Sequence, residues 1–217
     1  MEQSFSLSTA MTFTEPCADL RGRLTHTANN SALYASLVAA QGWRDISEQV
    51  GYSADPGYRL IRVDDRLSAV GSNEFEIALV DDVRSAVAYY DKVTLVSIPE
   101  AGNRLAARNQ IWRSADVNHI LPLREITQKV LFGYIAQLYN LILAEGDMPS
   151  GGRFYWHRQV SRAIEAGFYV YVYESTTGGF RSISTQHALN DLLDQIWSAD
   201  KPEPFLALVS TFALISQ

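Results

Sequence analysis

Residues 123–185, LREITQKVLFGYIAQLYNLILAEGDMPSGGRFYWHRQVSRAIEAGFYVYVYESTTGGFRSIST, decide the fold of this chain. In its first third, Ile126, Val130, Tyr134, Leu138 and Ile142 recur at every fourth position, with Leu131, Ile135 and Tyr139 in an adjoining row. That period lays one wide apolar face along an α-helix, so a long central helix is expected, capped at Gly146. Asp147, Pro149, Ser150, Gly151 and Gly152 then forbid its continuation. A second helix is expected from Arg153 to about Gly167, with Trp156, Val160, Ala163 and Ile164 buried and Arg158, Arg162 and Glu165 clustered on another face. After it the period falls to two. Val170 and Val172 alternate against Tyr169, Tyr171 and Tyr173, as on a strand. Thr176 to Gly179 make a turn and Phe180 to Ser184 return, which predicts an antiparallel hairpin.

Upstream, Tyr58 to Val63, Leu67 to Val70 and the alternation Phe75, Ile77, Leu79 predict three strands of an antiparallel meander. Val83 to Tyr90 reads as a short helix, Val93 to Ile98 as a buried strand, and Pro99 to Arg113 as a polar helix. Short helices are expected near Pro16, from Asn30 or Ser31 to Gly42, and over Trp43 to Val50. Downstream, Ser184 caps a helix whose Leu189, Leu192, Leu193, Ile196 and Trp197 share a face, and Phe205 to Ile215 suits either a last strand or a short helix. The expected class is therefore α+β: an antiparallel sheet with helices packed mainly on one face, in a single domain over 1–217 with residues 1–14 as a polar arm.

Composition narrows the function. The chain has 217 residues, 47% of them hydrophobic, which suffices for a continuous core. Charged residues reach only 19% while aromatics reach 11%, so large apolar surfaces are expected to be buried inside or against a partner. A net charge of −6 argues against binding duplex nucleic acid, whose sequence-independent affinity comes from clustered Lys and Arg on phosphates. The lone Cys17 excludes an internal disulfide and offers no zinc motif. No apolar run approaches the length of a membrane span, and Met1 to Ser8 lack the features of a signal peptide, so a cytoplasmic location is expected.

Three constellations could carry chemistry. Ser150-Gly151-Gly152-Arg153 opens onto a helix, where free N–H groups, Arg153 and Arg158 would suit a phosphate or carboxylate. His157 borders the apolar face of that helix and is the candidate general acid or base, with Glu174 as a second proton carrier. Tyr171, in the row with Tyr169 and Tyr173, could stack a flat ligand. The plainer reading of each is a flexible turn, a structural histidine and a packed tyrosine row. The acidic pairs Asp64-Asp65 and Asp81-Asp82 could hold a cation or a basic protein surface, but turns favour Asp on conformational grounds alone. An ADP-ribosyltransferase arrangement would need a Glu-x-Glu after Ser184, and none follows; Gly-x-Ser-x-Gly is absent too. No motif calls for a cofactor or a metal. These features point to a non-enzymatic protein of bacterial or phage origin that binds another protein, of the immunity, inhibitor or adaptor kind, through an acidic and aromatic surface, with homo-oligomerisation open. The alternative is a small effector or toxin enzyme, a transferase or hydrolase, gripping an anionic substrate over Gly151 to Arg158.

Overall fold

The computed structural model describes residues 17–53, 55–64, 66–67, 73–144, 152–174, 179–197 and 206–214. Among them are nine strands: β1 (Arg44–Asp45), β2 (Tyr58–Asp64), β3 (Glu74–Asp81), β4 (Ala86–Val96), β5 (Ala106–Arg113), β6 (Asn140–Ala144), β7 (Tyr169–Glu174), β8 (Gly179–Ser182) and β9 (Leu206–Ser210). Their order is β1-β2-β3-β4-β5-β6-β9-β7-β8. The helices are α1 (Cys17–Thr25), α2 (Thr27–Ala39), α3 (Ser47–Val50), α4 (126–138), α5 (Gly152–Glu165) and α6 (Gln186–Trp197). The class is α+β, with a mixed sheet: β5 and β6 pair in parallel, whereas β1–β2, β2–β3, β3–β4, β6–β9, β7–β8 and β7–β9 are antiparallel. The chain folds into two compact units, one from Thr14–Leu95 with Asn109–Ile135, the other including Val96–Arg108 and Ala136–Gln217.

The first unit is built on the β2–β3–β4 meander. Ile61 and Val63, Ala78 and Val80, Val87 and Tyr90 turn to the same face and pack with Trp112, Leu24 of α1 and Leu37 of α2. Arg62 is next along β2 and so faces the other way, where its guanidinium lies 3.7 Å from the Phe75 ring centroid and donates to the Tyr134 hydroxyl at 3.1 Å. The expected helix over Val83 to Tyr90 is instead a turn followed by β4. Asp81 accepts from the amides of Val83 and Arg84, both at 3.0 Å, and Ser85 takes φ of 50°, so the chain reverses where a helix would begin. Of the expected strand Leu67 to Val70, residues 68–70 lie outside the described residues, and β2 pairs with β3.

The second unit holds the hairpin read from the sequence. Tyr171, Tyr173 and Phe180 face Ile98, Ala106, Ile142, Leu206 and Leu208. Trp156 of α5 is fully buried, and its indole N–H donates to the Leu143 carbonyl at 2.9 Å, which fixes the helix to β6. Ser161 and Gln186 join α5 to α6 through two bonds of 2.8 Å. Phe205 to Ile215 resolves in favour of a strand, β9, inserted between β6 and β7.

The two longest helices expected upstream of Gly146 are also shortened or absent, and the helix expected over Trp43 to Val50 is reduced to Ser47–Val50. The central helix stops at Leu138, and Leu141, Ile142 and Leu143 belong to β6. Arg104 ends it, donating to the carbonyls of Ala136 at 3.1 Å and Gln137 at 2.7 Å, after which the Asn140 amide turns to the Leu105 carbonyl at 2.9 Å. The middle of α4, Lys129–Ile135, is also a π-helix. An i→i+5 ladder rotates the i+4 row backwards, so Val130, Leu131, Tyr134 and Ile135 stay buried while Leu138 moves out to 48% exposure. Pro99 to Arg113 is likewise not a helix but a short 3-10 turn, Pro99–Ala101, followed by β5. Ala106, Ala107, Asn109, Ile111 and Trp112 are all buried, and a partner strand on each side of β5 outweighs the helical propensity of its Ala, Gln and Arg.

Candidate functional site

In the second unit, Gly152 opens α5 and Arg158 is exposed on it, while Gly151 and the side chains of Arg153 and Glu174 lie outside the described residues. His157 is half-buried, and its Nε2 has no hydrogen-bond partner among the described residues. Tyr171 is buried and its hydroxyl accepts from the Leu214 amide at 2.9 Å. Tyr173 packs edge-on against Phe180, with ring centroids 5.8 Å apart, and Tyr169 alone of the row is exposed. Tyr171 is therefore committed to the core, while Arg158 and Tyr169 are exposed, as is Phe154 of α5 at 76%.

A dense polar construction lies in the first unit, at the end of the meander where β2 begins and β3 finishes. Arg59 grips Asp82 through two bonds, Nε to Oδ2 at 2.5 Å and Nη2 to Oδ1 at 2.6 Å. Tyr34 of α2 donates to the same carboxylate at 2.9 Å, and the Arg59 guanidinium lies 4.8 Å from the Trp43 ring centroid. The Arg59 bonds, opposed by partial burial, hold the Asp82 carboxyl below its ordinary range. Asp81 beside it is fully enclosed. Burial alone would raise its pKa, but the amide and guanidinium of Arg84 outweigh that and keep it low. Both acids of this pair are thus engaged, Asp81 by the turn and Asp82 by Arg59 and Tyr34, and Asp64 is taken by Arg44 at 3.2 Å and Arg62 at 2.8 Å. Asp65 lies outside the described residues. Among the described residues no three His, Cys, Asp or Glu side chains are grouped to hold a metal ion.

Against Asp81 sits a buried histidine in the segment between the stretches expected as helices over Pro99–Arg113 and from Ile126. The His119 ring is only 3% exposed; its Nε2 is 3.5 Å from Asp81 Oδ2, and Tyr58 meets it edge-on at 6.1 Å. The residues around it point outward. Val117, Ile120 and Leu121 are 75%, 64% and 74% exposed. This apolar knob is held firmly at its base. Asp116 caps the segment through the Asn118 amide at 2.8 Å, the Leu123 amide donates to the His119 carbonyl at 2.9 Å, Arg113 donates to the Leu123 carbonyl at 2.9 Å, and the Tyr52 hydroxyl donates to the Pro122 carbonyl at 3.1 Å. The apolar residues Val117, Ile120 and Leu121, lying between two stretches expected as helices, are the signal in the sequence that points to it.

The fold and this surface define an α+β protein with a rigidly mounted apolar loop. Comparison with protein-family models, with curated proteins and with solved structures gives no match to the chain. Among the described residues no helix is long and apolar enough to cross a membrane.

Proposed function

We propose that this protein works by binding another protein, as an immunity, inhibitor or adaptor component, and that Val117, Ile120 and Leu121 form the anchor. One observation carries the reading: three large aliphatic side chains stand in solvent on a short loop whose own base is buried and hydrogen-bonded. Single exposed hydrophobes are ordinary, but a clustered and pre-ordered set costs little entropy to bury against a partner, which is how interface hot spots gain their energy. The partner this suits presents an apolar cleft rather than a charged groove. The test combines a photo-crosslinking residue at position 121 with the double variant Ile120→Asp, Leu121→Asp. A defined protein partner trapped at 121, with binding lost in the charged variant, supports the reading. Full binding and biological activity in that variant would overturn it, and a concentration-independent dimer that the variant dissolves would make the occupant a second copy of the chain.

A second reading is favoured by half-buried His157, whose Nε2 has no hydrogen-bond partner among the described residues, beside exposed Arg158. It is an enzyme acting on an anionic substrate, with His157 and Glu174 moving protons and Gly151, Gly152, Arg153 and Arg158 binding. Replacing His157 and Arg158 by Ala separates the two. Activity lost with fold and partner binding intact selects the enzyme.

A further inference from the structure

In the first unit, Asp91 stands in the middle of β4 with its side chain wholly enclosed, opposite Ile77 of β3. Its Oδ2 accepts from Asn109 Nδ2 of β5 at 2.7 Å and lies 3.4 Å from the Tyr89 hydroxyl. No donor among the described residues reaches its Oδ1, and Asn109, itself 1% exposed, has an Oδ1 in the same condition. Two buried acceptors on one carboxyl–amide pair leave the pair short of one donor. An ionised carboxylate there would carry a full charge in an apolar interior with two weak compensations. We propose that Asp91 is held as a neutral carboxylic acid whose Oδ1–H donates to Asn109 Oδ1, closing an eight-membered acid–amide ring that staples β4 to β5.

The burial of Asp91 pushes its carboxyl up to about 7, against the smaller opposing pull of Asn109 and Tyr89, and no charged side chain contributes. The ring therefore opens near neutrality: the Oδ1 proton passes to solvent, the bond to Asn109 Oδ1 is lost, and a negative charge appears inside the sheet. The inference is independent of the partner reading above. It is tested on the full chain by labelling aspartate with 13C and following each carboxyl carbon with pH. One aspartate should titrate near neutrality, and its signal should vanish in Asp91→Asn. The same variant should raise Tm by a margin that grows from about pH 4 to about pH 7. If Asp91→Asn does not fold, the wild-type titration decides alone, and all aspartate carbons titrating below about pH 5 would overturn the proposal.

Discussion

Asn30, a residue of helix α2, pairs with the backbone of Val87 as another strand would: its Nδ2 donates to the Val87 carbonyl at 3.0 Å and its Oδ1 accepts from the Val87 amide at 2.8 Å. Val87 follows directly on a register irregularity between β3 and β4, at Leu79 and Val80, where regular ladder bonds are interrupted. One side chain thus satisfies both main-chain groups of a fully buried residue and ties the helical layer to the meander.

Asn30→Ala leaves a buried N–H and a buried C=O without partners. Each orphan costs about 1–3 kcal/mol, so a loss of about 2–6 kcal/mol in unfolding free energy is expected from urea denaturation. A loss under about 0.5 kcal/mol would mean that the helix does not hold this strand.

The Arg59–Asp82 pair predicts acid sensitivity. The Asp82 carboxyl is depressed in the folded state, chiefly by the Arg59 bonds, so its stabilisation is present above the unfolded pKa of about 3.9 and is lost as pH falls through the lower folded value. Asp82→Asn should be less stable than wild type at neutral pH, with the gap closing below about pH 4. A gap that stays constant between neutral pH and about pH 3 would assign the role of Asp82 to something other than its charge.

Arg104 caps the carboxyl end of α4 and also donates to Thr211 Oγ1 at 2.7 Å. Arg104→Ala should cost about 1.5–3 kcal/mol, since the helix-end carbonyls lose a charged donor. Arg104→Lys should recover only part, because an ammonium cannot fork across several acceptors. Hydrogen exchange should speed up first at the amides of residues 138–142, and uniform acceleration across the protein would instead indicate global loosening.

Charging the exposed loop should leave folding untouched. The double variant Ile120→Asp, Leu121→Asp alters side chains that are mostly in water, so its unfolding free energy should stay within about 0.5 kcal/mol of wild type. His119→Ala, by contrast, removes the buried ring under the same loop and should destabilise by about 1–3 kcal/mol. Equal stability losses in both would show that the loop packs as core rather than standing free.

The candidate site was legible only in part. His157 and Arg158 could be placed on a helix because that helix carries its own amphipathic period, and α5 runs where the pattern of Trp156, Val160 and Ala163 puts it. Tyr171 was placed on the correct strand, but alternation says nothing about whether the tyrosine face meets solvent; packing against Ile98 and Leu208 decided that. The loop around His119 was passed over because no local rule predicts that a histidine will turn in while Val117, Ile120 and Leu121 turn out.

By itself the sequence determined the elements whose side-chain period is strong and whose ends are marked: α5, α6, the β7–β8 hairpin and β3, and with them the α+β class. Only the tertiary structure decided 86–90, 106–113 and 140–144. These short stretches satisfy a helix or a strand equally well in isolation, and they became strands because neighbouring strands offered their backbones partners that a helix would have left unused. The length of α4 belongs with them, since Arg104, more than thirty residues away in sequence, is what stops it.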